Sequence, residues 1–110
     1  MAKEKEIWLI ESPVTMVEGE VIAFSVDWLG ASKVENPSVT VYKNGSDVTS
    51  SVMVSGDSHV ISGNVLTMKK ITAGSNDGGS RYVVVIQCGV DNNTEIRKLL
   101  VQVVKASDEG

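Results

Sequence analysis

The side chains that could carry chemistry are few and far apart. One histidine, His59, and one cysteine, Cys88, stand in 110 residues. Nucleophilic catalysis needs an imidazole beside a serine or a thiol, and a metal centre needs several imidazoles or thiolates. Neither cluster forms along the sequence. His59 follows a Gly-Asp-Ser stretch and is expected as a solvent-facing turn residue. Cys88 alternates with Tyr82 and Ile86 on the inward side of a β-prone run, so it reads as a small buried core residue and not as an activated thiolate. No catalytic residue is expected, and no enzymatic activity.

The carboxylates Glu18, Glu20, Asp27, Asp47, Asp57, Asp77, Asp91 and Glu95 are scattered. Paired acids hydrolyse glycosides, and acids at alternate positions of one loop hold calcium. The nearest candidate, Asn76-Asp77-Gly78, is better explained as a turn. Gly78-Gly79-Ser80 lacks the following helix and the spaced lysine of a phosphate cradle. No cofactor and no metal ligand set is expected. Asn44-Gly45-Ser46 and Asn92-Asn93-Thr94 match the glycosylation acceptor pattern, but turns favour asparagine in any case. Tyr42 and Trp8 are the aromatics expected at the surface, where a pair on one face could stack on sugar rings.

The elements that would position these residues follow from composition and period. Apolar residues make up 42% of the chain and charged residues 22%, which fits one globular domain and excludes low-hydrophobicity disorder. The net charge of −4 disfavours phosphate backbones and anionic lipid, so no nucleic-acid or membrane partner is expected. A single cysteine allows no internal disulfide, which implies a reducing compartment or a core that suffices alone. The charged residues 1–6 and the short apolar run 7–10 do not make a signal peptide, so synthesis and retention in a cytoplasm are expected.

Nineteen valines dominate the apolar content, and β-branched residues favour pleated sheets. No helix of consequence is predicted. Strands are predicted over 7–10, resuming at 14–17 after Pro13 as an edge strand, and over 21–28, with Ile22, Phe24, Val26 and Trp28 inward. After a loop over 30–37, a strand over 38–43 places Val39 and Val41 inward and ends at Asn44-Gly45, a strong hairpin signal. Further strands are predicted over 47–54, 59–62, 64–71, 81–90 and 94–105. The 81–90 run is apolar on both faces and so central, and Leu99, Val101 and Val103 point inward in the last strand.

Three segments resemble the immunoglobulin-like superfamily. Val17-Glu18-Gly19-Glu20-Val21-Ile22-Ala23-Phe24 is similar to the glutamate-glycine turn that leads into the second strand of such domains. Val39-Thr40-Val41-Tyr42-Lys43-Asn44-Gly45 resembles the third strand and hairpin of bacterial and phage modules. Asp77-Gly78-Gly79-Ser80-Arg81-Tyr82-Val83-Val84 resembles the corner where a tyrosine bonds back to the upstream backbone. The resemblance makes Tyr82 the corner tyrosine and puts Val84, with Phe24 or Val26, where an antibody domain has its cysteine pair. Its departures, with no cysteine pair and Trp28 ending the second strand, point to the disulfide-free bacterial and viral modules.

The expectation is therefore an all-β, immunoglobulin-like β-sandwich of about seven to eight antiparallel strands in two sheets, over residues 7–105, with polar tails at 1–6 and 106–110. The resemblance implies a non-enzymatic structural or interaction module, foremost an accessory or decoration protein of a phage capsid or tail, located in the virion. Its partner would be a capsid or tail protein or a second copy, bound through loops or through strand 7–17. The alternative is a carbohydrate-binding or adhesion module of a bacterial surface protein, with a glycan as partner.

Overall fold

Period-two burial decides the architecture. A computed structural model describes residues 13–106. Within them the strands are β1 (Val14–Val17), β2 (Val21–Ile22), β3 (Ser25–Asp27), β4 (Val34–Lys43), β5 (Ser46–Asp47), β6 (Val60–Ser62), β7 (Val65–Thr67), β8 (Ile71–Thr72), β9 (Arg81–Val90) and β10 (Asn93–Val104), with one helical turn, α1 (Thr49–Val52). The long strands β4, β9 and β10 form the centre of a five-stranded sheet ordered β1-β10-β9-β4-β5. Here β1 runs parallel to β10, with Val14 opposite Val101 and Val17 opposite Val104.

The second layer pairs β2 with β8 and β3 with β7 and β6. The break between its halves falls at residues 23–24 on one strand and 68–70 on the other. Met68 N–H donates to the Phe24 carbonyl at 2.9 Å across that break, so the halves form one layer. Counted this way, the described residues hold eight strands, with β2 and β3 as one and β7 and β8 as another. The first, third, fourth and last two strands in one sheet, facing the second, fifth and sixth, is the connectivity of an immunoglobulin-like sandwich. The fold is all-β, as the sequence predicts, and contains no disulfide: Cys88 is free.

The core lies between the layers. Tyr82, Val84, Ile86 and Cys88 of β9 are fully buried, as are Val41 and Val101, while Val39, Leu99 and Val103 are nearly so. From the other layer come Val26, Trp28, Leu66, Met68 and Ile71. The predicted inward faces of the 21–28, 38–43, 81–90 and 94–105 segments hold, although Ile22 and Phe24 pack at the margin. A buried valine or leucine contributes roughly 1.5–3 kcal/mol relative to exposure, so this cluster stabilises the chain without a crosslink.

Two hairpins close as their residues demand. Asn44 and Gly45 take φ of 52° and 84°, and Asp91 and Asn92 take 50° and 71°. Positive φ at both central positions matches the twist of the flanking strands, and asparagine, aspartate and glycine tolerate it best. This conformational role accounts for Asn44 and Asn92 at the two acceptor-like motifs.

Three expectations are corrected. The stretch 47–54 is not a strand. Asp47 accepts from both the Thr49 N–H (2.9 Å) and the Thr49 hydroxyl (2.6 Å), and the Thr49 oxygen accepts from Val41 N–H (2.8 Å). These local bonds turn the backbone into α1, since short polar side chains compete with the sheet ladder. The stretch 30–37 is not all loop: β4 begins at Val34 and passes a bulge where Asn36 and Pro37 oppose the single residue Cys88. Pro37 has no N–H to offer and Asn36 accepts φ of 53°, so a bulge suits both. The strand over 64–71 is split at 68–70. The expected strand over 7–10 lies outside the described residues; β1 is the edge of its sheet among them.

Candidate functional site

Side chains with chemical potential are brought to four places, and at the first three backbone N–H groups claim some of them. The first is the corner at the start of β9. The Tyr82 hydroxyl accepts from Gly74 N–H at 3.1 Å and donates to Asp77 Oδ2. Asp77 Oδ1 receives Lys43 Nζ at 2.5 Å. The Lys43 hydrogen bond, then that of Tyr82, holds the Asp77 carboxyl below the usual carboxylate range, against the opposing effect of burial. Burial, reinforced by Asp77, pushes the Tyr82 phenol up to about 12. Glu18 closes the corner from the far side. Its Oε2 accepts from Gly78 N–H at 2.8 Å and its Oε1 from Ala106 N–H at 3.2 Å. A Cβ at Gly78 would run into the Glu18 carboxylate and the Lys105 side chain, which explains a glycine there. Asn76-Asp77-Gly78 is thus a turn whose carboxylate serves the tyrosine and the lysine.

The second place surrounds His59. The ring is half-buried, and Nδ1 accepts from Lys69 N–H at 3.1 Å. Two residues earlier, Asp57 Oδ2 accepts from Lys70 N–H at 3.0 Å and lies 3.9 Å from Lys70 Nζ. Val54 N–H donates to the Lys70 carbonyl at 3.0 Å, and Met53 bridges to Ile71. Residues 53–59 therefore form a strap over the interruption between β7 and β8. This corrects the expectation of a solvent-facing histidine: the break in the ladder leaves N–H groups that need acceptors, and His59 supplies one. Partial burial, then the Lys69 charge, lowers the His59 pKa below 6.5. The strap walls an open cleft of about 650 Å³ that His59, Lys69, Thr49, Ser55, Met53 and Val39 help to line.

The third place is the opposite loop cluster around Trp28. Trp28 is 5% exposed, and its indole N–H has no acceptor among the described residues. The Arg97 guanidinium lies 5.0 Å from the ring centroid and pairs with Glu95 at 3.0 Å. Asp91 Oδ1 accepts from Ser32 N–H (2.9 Å) and Lys33 N–H (2.8 Å), tying the loop after β3 to the β9–β10 hairpin. A cleft of about 330 Å³ opens between them, with Asp27, Leu29 and Arg97 in its wall.

The fourth place is the outer face of the five-stranded sheet. The register sets Tyr42 opposite Val83 and Val83 opposite Leu100, and one end of this face carries Ile96. Tyr42 is 36% exposed and Ile96 41%. Trp8 lies outside the described residues. The other described aromatics, Phe24, Trp28 and Tyr82, pack toward the core. Cys88 is fully buried as predicted, and burial pushes its thiol up, away from thiolate reactivity.

The structure does not bring His59 and Cys88 together in one hydrogen-bonded group; each has its own local assignment. Among the described residues no group of three or more histidine, cysteine or acidic side chains could hold a metal ion. Sequence reasoning marked Tyr82 and the Glu18-Gly19-Glu20 turn. It missed the carboxylate roles of Glu18 and Asp57 and the stacking of Arg97 on Trp28. Acids inside turns are a general sign of backbone N–H capture, and Asp57 carried that sign; the distant partners of Glu18 and Arg97 had no local signal.

No protein-family model matches the chain, and no curated protein does. Among solved structures it is similar to a twitchin kinase fragment from C. elegans, an autoregulated protein kinase with immunoglobulin domains, at 16% identity and a TM-score of 0.49, over 88% of this chain and 20% of that one. A chimeric titin Z1Z2 functionalised with an exogenous decorin peptide is similar at 14% identity and a TM-score of 0.48, over 86% of this chain and 87% of that one. An endo-fucoidan hydrolase from glycoside hydrolase family 107 is similar at 15% identity and a TM-score of 0.42, over 86% of this chain and 13% of that one. The chain thus spans a small part of the first and third of these proteins. Its own strand order, parallel β1–β10 pairing and tyrosine corner carry the immunoglobulin-like assignment.

Proposed function

We propose that this chain is a non-enzymatic structural or interaction module. The observation that carries this reading is that its reactive side chains are committed to structural bonds: Tyr82 to Gly74 N–H and Asp77 to Tyr82 and Lys43 at the corner, His59 and Asp57 to backbone N–H groups at the strap, Asp91 to two more at the loop tie. A scaffold tied at both ends presents loops and strand edges in fixed positions, which lowers the ordering cost of binding a partner. The edge strand β1 and the outer sheet face around Tyr42 are the surfaces such a partner would use.

In its finer form, the module is an accessory or decoration protein of a phage capsid or tail, made in the cytoplasm and carried on the virion. This rests on the roles usual for disulfide-free immunoglobulin-like modules. Density-gradient purification of particles followed by mass spectrometry tests it. The chain should band with the particles at a fixed ratio to a capsid or tail protein; recovery solely in the soluble fraction would refute the virion role. A glycan-binding role needs a second exposed aromatic beside Tyr42, and the described residues do not offer one. Glycan-array binding that Tyr42→Ala abolishes would favour that alternative.

A further inference from the structure

Strands β7 and β8 follow one another as a single interrupted strand of the second layer, whose ladder lapses over residues 68–70. The two N–H groups of Lys69 and Lys70 are the groups that lose their strand partners there. Both are captured by side chains of one short segment, His59 for Lys69 and Asp57 for Lys70. The two acceptors differ in kind. A carboxylate stays an acceptor throughout the neutral and mildly acidic range. An imidazole nitrogen is an acceptor only while it carries no proton; once protonated it becomes a donor and faces another donor. The bond from Lys69 to Nδ1 further fixes the neutral tautomer, with the proton on Nε2.

We propose that His59 is an acid-released latch: mild acid detaches the His59 end of the 53–59 strap from Lys69, and the cleft it walls opens at that end. The rest of the strap stays in place, because the Asp57–Lys70 bond, the Val54–Lys70 bond and the Met53–Ile71 bridge do not depend on imidazole. The change is therefore local. The charged groups that bear on the latch are Lys69, which acts on the ring, Lys70 beside it in sequence, Asp57 on the strap itself, and Asp47 in the cleft lining. Partial burial, and then the Lys69 charge, oppose protonation of the ring, so release falls on the acid side of the ordinary histidine range. What opens is a cleft whose lining includes Val39, Met53 and Val54, so acid increases access to apolar surface between β4 and the strap. The inference goes beyond the proposed module role and does not depend on it.

His59 is the one histidine in the chain, so its ring signals in an NMR titration are unambiguous. The full chain, titrated from about pH 7.5 to about pH 4.5, should show the Lys69 amide shifting with the same midpoint as the imidazole, while the Val54 amide stays fixed. Amide exchange at Lys69, referenced to Val54 in the same sample, should rise about tenfold across that midpoint, as expected for loss of one hydrogen bond. In His59→Gln, whose side-chain oxygen accepts at every pH, both responses should vanish. A Lys69 amide that ignores the imidazole midpoint would overturn the proposal. So would an equal response in His59→Gln. If His59→Gln fails to fold, the wild-type titration alone decides the matter.

Discussion

The tyrosine corner and the histidine strap perform one task in two layers of the sandwich. At each, a side chain takes over a backbone N–H that no strand neighbour can satisfy. Tyr82 accepts from Gly74 at the entrance to β9, and His59 accepts from Lys69 at the break in its layer. They differ in what the acceptor can become. The phenol is held neutral up to about 12 and its partner Asp77 is held ionised, so the corner keeps its bonds across the whole neutral range. The imidazole loses its acceptor in acid, below the ordinary histidine value. The corner is also anchored in the core, where Tyr82 is fully buried, whereas His59 is half-buried at the margin. One device makes a fixed joint and the other a conditional one, and the acceptor's chemistry makes the difference.

Removing the whole Tyr82 side chain breaks this comparison most severely. Tyr82→Ala should cost about 3–5 kcal/mol in urea denaturation, because a buried ring leaves a cavity that the sheets cannot close. Tyr82→Phe keeps the ring and strands Gly74 N–H and Asp77, so it should cost about 1–3 kcal/mol. Asp77 is held below 3.8 by its partners, and its contribution is present above that value and lost as pH falls through the folded value. Tyr82→Phe should therefore also flatten the acid end of the stability profile, as read from urea midpoints in acid.

His59→Ala should cost about 1 kcal/mol near neutral pH, with the same assay as readout. Its pH dependence sharpens the contrast. The folded pKa lies below 6.5, so the unfolded chain takes up the proton first. The His59 contribution is thus present above 6.5 and is lost as pH falls through the folded value. Wild type and His59→Ala should converge in mild acid, while wild type and Tyr82→Phe remain apart there. The smallest effect belongs to Lys43→Met. The Lys43–Asp77 pair is partly exposed, with the lysine side chain 31% accessible, so its loss should cost about 0–1 kcal/mol. A larger cost in high salt than in low salt would contradict the ion-pair account.

Much of the corner was legible in the chain, and much of the strap was not. Tyr82 was marked by a glycine-rich turn before a strand of regular alternation, and Asn44-Gly45 by a conformation few other pairs tolerate. The strap has no such mark. Nothing in residues 64–71 announces that the ladder fails at 68–70, so nothing announced that Lys69 and Lys70 would need acceptors from residues ten and more positions away. The misread 47–54 stretch has the same origin: Asp47 and Thr49 resolved a local contest between sheet and turn that alternation could not weigh.

The order of residues by itself settled the β class, the inward faces of the long strands and the two tight hairpins, because period-two burial and positive φ are properties of neighbours in sequence. The tertiary structure alone decided where the second layer breaks, that Glu18 reaches Gly78 and Ala106, and that Arg97 lies over Trp28. Those contacts join residues far apart along the chain, and their partners are fixed when two twisted sheets close on each other and leave particular backbone groups without a neighbour.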